Sequence, residues 1–225
     1  MGRVSSASRP SPAAPSDSHA TAPDRPAADA AVAPVTRPDR TWAVLTVVLS
    51  LVGFAASATL VAERLAIFQD AGHRASCDLN AWLSCGTVMR TPQAELFGFP
   101  NPLIGIVAYA VVLAVAVGVL AGARYARWFW WLLWAGIAAG SVFTLWLWWQ
   151  TTFRINALCL YCMVVWCAQT YLLAHTSARM RRAGMLGGAA RESAGSTAWA
   201  WLLGTGVLVV VFGVIAVRFS TVIFA

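Results

Sequence analysis

Lysine is absent from the 225-residue sequence, and all sixteen basic residues are arginine. Acidic residues number only nine, so charged residues make up 11% of the chain, against roughly 25% in an ordinary soluble protein. Nine of those charges fall in the first 40 positions, leaving sixteen for the other 185 residues. That is too few to coat a water-soluble surface, which excludes a soluble enzyme. A hydrophobic fraction of 59% excludes a chain disordered throughout. The net charge of +7 can indicate nucleic acid. Here, however, the arginines stand singly or in small groups beside long apolar runs, which is how membrane topology is encoded. Nucleic-acid binding is therefore excluded as well, and an all-α integral membrane protein remains.

Residues 1–40 lack aromatic side chains altogether and hold seven of the ten prolines. Their charges (Arg3, Arg9, Arg25, Arg37 and Arg40 against Asp17, Asp24, Asp29 and Asp39) nearly cancel. Such a segment cannot bury enough apolar area to offset its ordering entropy, so a disordered tail is expected there. Residues 41–225 form the membrane domain.

Five apolar runs follow, at 42–62, 103–123, 128–153, 155 to about 178, and about 199–217. Each approaches the roughly 20 residues that cross a bilayer as a helix, and backbone groups in lipid must bond internally, which favours helices. The first run could be a signal peptide, but its length and the 41 residues before it argue against that. Seven of the twelve tryptophans fall between Trp128 and Trp149. Trp130 and Trp148 are 18 residues apart, or roughly 27 Å on a helix, which suits an aromatic belt at both interfaces better than a cofactor box. A cytoplasmic N-terminus places Arg37, Arg40, Arg124, Arg127, Arg179, Arg181, Arg182 and Arg191 inside, against Arg64, Arg74, Arg90, Arg154 and Arg218 outside. The bias agrees with the positive-inside rule.

Five cysteines are present: Cys77, Cys85, Cys159, Cys162 and Cys167. In this topology the first four lie on the extracytoplasmic side, Cys77 and Cys85 in the connection 69–101 and Cys159 and Cys162 in the motif CLYC at the outer turns of the fourth run. Two pairs on one face of the membrane, away from the reducing cytosol, point to disulfide chemistry. Residues i and i+3 share one side of a helix, so the sulfurs of a CxxC can bond. A helix start also favours the thiolate of the first cysteine. Two other readings remain open at this point, a zinc site with a loose C-x7-C spacing and two purely structural disulfides. Cys167, deeper on a different azimuth, reads as a buried apolar thiol.

The segment CDLNAWLSCGTVMRTPQAELFGFPNPLIG, followed by CLYC, resembles vitamin K epoxide reductase and its bacterial homologues over about residues 42–178. The resemblance implies a four-helix transmembrane bundle around a quinone site, plus a fifth transmembrane helix, with the catalytic loop 69–101 capping the site. It implies that Cys77 receives electrons from a thioredoxin-like partner, that Cys85 shuttles them to Cys159, and that Cys162 faces the quinone. Thr91 stands where the family usually has a serine near the quinone, and Asn101 where an asparagine bonds a quinone oxygen. Asn101 ahead of Pro102 also suits a helix start. Trp166 occupies the position of a tyrosine in animal members and cannot act as a phenol.

Only Arg218 to Ala225 follow the last run, so the thioredoxin domain fused in some bacterial members is expected to be absent and the partner separate. Together these features imply a multi-pass enzyme of the bacterial inner membrane. It would reoxidise an extracytoplasmic, thioredoxin-fold disulfide-forming protein and pass the electrons to menaquinone or ubiquinone from the membrane pool, without a metal. The alternatives are a quinone or epoxide reductase acting for its reduced product, and a non-enzymatic membrane protein with structural disulfides.

Overall fold

The computed structural model describes residues 2, 39–70, 72–186 and 195–223. The tail expected over 1–40 lies outside the described residues except for Gly2, Asp39 and Arg40, as does Arg191. Six α-helices form among the described residues: α1 Arg40–Gln69, the short α2 Cys85–Met89, α3 Pro102–Leu120, α4 Arg127–Gln150, α5 Leu160–Arg182 and α6 Gly195–Ile223. No strand occurs among them.

Local chemistry sets the helix boundaries. The Asp39 carboxylate accepts from the Trp42 N–H at 3.0 Å and caps α1. Pro102 occupies the first turn of α3, where its missing N–H costs nothing. At the far end of α4 the chain widens into a π-helical turn, Thr151–Ile155, and then stops at Asn156, whose φ of 55° is left-handed. Asparagine tolerates that conformation, and Arg218 of α6 holds its Oδ1 at 2.7 Å. The run expected to start a helix at Ile155 therefore starts one only at Leu160. Cys159, expected inside the first turns, is instead the N-cap.

Among the described residues, four helical stretches can by length and composition cross a membrane: Arg40–Gln69, Pro102–Leu120, Arg127–Ile155 and Thr197–Ser220. The remaining long helix, α5, has 23 residues but is too polar to count among them. Its Gln169, His175, Thr176 and Arg179 are all buried, because α5 is the central helix, packed by α1, α4 and α6. Neighbouring helices shield these groups, so α5 does not need an apolar surface of its own.

Helices α1, α3, α4 and α5 enclose a cavity, and α6 packs on α5 from outside it. The α1–α3 contact depends on small residues. A Cβ at Gly53 would run into the Tyr109 ring, and one at Gly105 into the Ser57 side chain. Close backbone approach of this kind is how helices associate in lipid, where no hydrophobic force drives them together.

The end of the bundle away from the cysteines is locked by Arg179 and Arg182. Arg182 bonds Asp39 at 2.5 Å, while the Arg179 guanidinium lies over the edge-to-face pair of Trp42 and Trp130, 4.8 and 4.2 Å from their ring centres. Trp130, expected in the interfacial belt, is thus a core residue, only 1% exposed. Trp128, Trp131 and Trp149 do remain on the surface.

Candidate active site

Cys77 and Cys85 are joined by a disulfide, with their Cα atoms 5.7 Å apart. The nine-residue loop that they close is held by the carboxylate of Asp78. Its Oδ1 accepts from the Ser84 hydroxyl at 2.9 Å and the Gly86 N–H at 2.8 Å, and its Oδ2 from the Ala75 N–H at 3.2 Å. Ser84 also caps α2 through the Thr87 N–H. Cys85 thereby becomes the first residue of a short helix and is fully buried.

Two tethers bring this loop to the CLYC segment. Beside Cys85, the backbone of 82–84 pairs with Leu158: the Leu158 N–H donates to the Trp82 carbonyl at 2.8 Å, and the Ser84 N–H to the Leu158 carbonyl at 2.9 Å. Beside Cys77, the Ser76 hydroxyl is hydrogen-bonded to the Tyr161 phenol at 3.2 Å. Cys77, Cys85 and Cys159 consequently belong to one buried cluster with Leu60, Val88 and Met89, and Cys162 packs against it.

Cys159 and Cys162 are free thiols, and the Cys162 N–H donates to the Cys159 sulfur at 3.4 Å. Cys159 sits at the N-cap, ahead of α5. The hydrogen bond from the Cys162 side chain holds its thiol below the ordinary value, outweighing burial, and the N–H groups of Cys162 and Tyr161 add to the effect. Cys159 is fully buried among the other sulfurs, whereas Cys162 lies on the wall of the bundle cavity. Cys167, expected to be buried, is only half-buried, and it is absent from the cavity wall.

The cavity measures about 450 Å³, within the range that holds small-molecule ligands. It runs from Met89, Asn101 and Cys162 at the cysteine end down to Gln169 and Leu172. The sequence profile described as the Vitamin K epoxide reductase family matches residues 44–177, which spans the bundle and both cysteine pairs. The chain belongs to that family. Among curated proteins none matches it in sequence.

As a family member it is a membrane oxidoreductase of quinone-linked thiol chemistry. Asn101 lines the cavity, but its amide is engaged by the loop: Nδ2 donates to the Gln93 carbonyl at 2.7 Å and Oδ1 accepts from the Leu96 N–H at 3.2 Å. It does not cap α3 with its side chain. Thr91 is not on the cavity wall, and its hydroxyl donates to the Val88 carbonyl at 2.7 Å. Trp166 is 5% exposed, faces the cavity and packs in a cluster with Val211 and Ile215 of α6. Among the described residues no group of three or more His, Cys, Asp or Glu side chains could hold a metal ion.

Sequence reasoning missed Asp78, Tyr161 and Arg64. Asp78 and Tyr161 stand inside the two cysteine motifs, and that adjacency was the available signal. Arg64 carried another: it is the first basic residue after a long apolar run, and it lies on the cavity wall.

Proposed function

We propose that this protein oxidises a separate, extracytoplasmic thioredoxin-fold protein and passes the electrons through its two cysteine pairs to a membrane quinone. One observation carries the reading. A closed disulfide, Cys77–Cys85, packs in the same buried cluster as Cys159, whose CxxC partner Cys162 lines an apolar cavity. In this reading the N-terminus is cytoplasmic, the cysteine end faces outward across the bacterial inner membrane, and the acceptor is menaquinone or ubiquinone.

The residues suit such an acceptor. An apolar cavity fits a lipophilic ring, and two residues that line it, Arg64 and Tyr109, hold buried polar atoms, Nε and Oη, without a hydrogen-bond partner among the described residues. Both are donors, and buried donors are rarely left unpaired. A ring with carbonyl oxygens would supply acceptors. Bound there, a quinone provides the chemistry of accepting two electrons and two protons.

The chain's own residues carry the exchange. A thiolate of the partner attacks Cys77, breaking Cys77–Cys85 and releasing Cys85 as a thiolate. Cys77 is 2% exposed, so the segment 72–79 must lift to admit the attack. Cys85 then attacks Cys159 in an oxidised Cys159–Cys162 pair and frees Cys162 as a thiolate at the cavity wall. The partner's second thiol resolves the mixed disulfide, which forms the partner's disulfide and frees Cys77 as a thiolate. Cys77 then attacks Cys85 of the Cys85–Cys159 bond, re-forming Cys77–Cys85 and releasing Cys159, so that Cys159 and Cys162 become a dithiol. That dithiol gives up two electrons and two protons to regenerate its disulfide and yield quinol. Each thiol step runs in the direction set by the potentials of the couples. The stabilised Cys159 thiolate makes that sulfur a good leaving group when Cys77 displaces it from Cys85.

The test mixes purified protein with a reduced thioredoxin-fold partner and a short-tailed quinone and follows quinol. Turnover is expected in wild type and Cys167→Ala, and loss of turnover for serine at Cys77, Cys85, Cys159 or Cys162. In a Cys77→Ser, Cys162→Ser, Cys167→Ala protein, a Cys85–Cys159 disulfide is expected to hold the halves together after cleavage between α3 and α4. Halves that part without reductant, or near-normal turnover in a single-serine variant, refute the relay and favour structural disulfides.

A further inference from the structure

Arg64 has no role in the relay just described, yet its placement demands one. It lies near the end of α1, its side chain is 11% exposed, and it stands on the cavity wall at the cysteine end, in the company of Leu60, Met89 and Asn101. A cation on an apolar wall loses hydration, and burial without compensation is strongly unfavourable. Glu95, in the turn Pro92–Glu95 of the capping loop, provides part of that compensation through an ion pair with the guanidinium. Phe68, one turn further along α1, lies under it at 4.8 Å. Both contacts fix the fork in place. Neither uses Nε, which is buried and has no hydrogen-bond partner among the described residues.

From this geometry we infer that Arg64 is a ligand-binding residue: its Nε–H donates to a ring oxygen of the quinone, at the end of the cavity nearest Cys162. The inference rests on the quinone-linked reading given above and names the contact by which this chain would recognise the acceptor. The chemical class follows from the donor. A planar, permanently charged N–H donor inside an apolar wall selects a neutral, lipophilic ring that presents an oxygen acceptor. Such an oxygen gains negative charge as electrons arrive, and a fixed guanidinium favours that change more than it favours the starting ring. Asn101, nearby on the same wall, has one amide N–H committed to Gln93 and its oxygen to Leu96, which leaves it a second, neutral N–H, whereas the Arg64 Nε–H is charged and has no partner among the described residues. Glu95 keeps the guanidinium from turning away, and is a positioning residue in this scheme.

The experiment compares wild type, Arg64→Gln, Arg64→Lys and Glu95→Gln, as purified full-length proteins in detergent, with a short-tailed quinone. Three quantities are read: quinone Kd from quenching of intrinsic tryptophan fluorescence, the kcat and KM for quinone, and the quinone-independent rate at which the oxidised protein is reduced by a dithiol. Loss of one charge-assisted hydrogen bond is worth about tenfold to a hundredfold in affinity. Arg64→Gln is expected to raise Kd by about that factor and to lower kcat, with the dithiol rate unchanged. Arg64→Lys, which keeps the charge and the reach to Glu95 but not the planar fork, should recover kcat more than Kd. Glu95→Gln should weaken binding by less than Arg64→Gln does. If Arg64 serves only to pin the loop to α1, Arg64→Gln and Glu95→Gln will instead behave alike, slowing the dithiol step and lowering thermal stability together. That result overturns the inference, as does an Arg64→Gln or, should that variant not fold, an Arg64→Lys protein with wild-type Kd and kcat. Absence of quinone binding by the wild type would overturn the quinone-linked reading itself, a separate outcome.

Discussion

Removing the Asp78 carboxylate should make the Cys77–Cys85 pair easier to reduce, by an amount that the loop's hydrogen bonds allow to be worked out. In Asp78→Ala three donors lose their acceptor: the Ser84 hydroxyl, the Gly86 N–H and the Ala75 N–H. Ser84 retains Thr87 as a partner at 2.9 Å, whereas the N–H of Ala75, a residue only 4% exposed, loses its carboxylate acceptor. Gly86 is buried, and an orphaned buried N–H costs about 1–3 kcal/mol. With the lost charge assistance of the other two, about 2–3 kcal/mol is a reasonable total. The disulfide limits the spread of the oxidised loop, whereas the reduced loop has only this strut. Cutting it therefore lowers the effective concentration of one thiol for the other by about 30- to 150-fold, and raises the reduction potential by about 40–65 mV. Asp78→Asn, which keeps an acceptor oxygen for Ser84 and Gly86, should shift it by about half as much. Equilibration of the Cys159→Ser, Cys162→Ser background against defined thiol–disulfide buffers, read by alkylation, measures the shift. A fall in thermal stability with no change in potential would refute the reasoning, since Asp78 would then support the fold without preorganising the pair.

Two further outcomes follow from the packing and electrostatics. Gly53→Leu should drive a side chain into the Tyr109 ring and destabilise the bundle by about 1–3 kcal/mol, seen as a lower Tm in detergent, and Tyr109→Ala in the same chain should restore part of the loss. In the reduced, Cys167→Ala protein, Cys162→Ala removes the largest influence that lowers the Cys159 thiol. The thiolate is the form stabilised by that bond, so its ultraviolet absorbance should then appear at higher pH. A titration that is unmoved or shifted downward would show that Cys162 does not stabilise the thiolate.

Composition by itself determined the class of molecule. A chain with no lysine and so few charges beyond residue 40 has nowhere to put its apolar surface but lipid, and runs of this length in lipid must be helices. The cysteine motifs were equally legible, because a CxxC and a second pair carry their meaning in spacing, and they sufficed to point to the family that the profile then matched. Tertiary structure decided the rest. The break at Asn156 was hidden within an apolar stretch, since a single left-handed residue leaves no trace in hydropathy, and it moved Cys159 from the helix to its cap. The polar residues of α5 could be judged only once α1, α4 and α6 were seen to shield them. Trp130 left the interfacial belt for the core, where it packs on Trp42 and meets Arg179 with its ring face. Asn101 and Thr91 kept their places in the motif, yet both turned their polar atoms to the loop. The unpartnered donors on the cavity wall came from α1 and α3, outside every cysteine motif. Spacing along the chain encodes which residues share a helix face; which polar atom is left without a partner depends on contacts between helices distant in sequence, and only the folded bundle makes those.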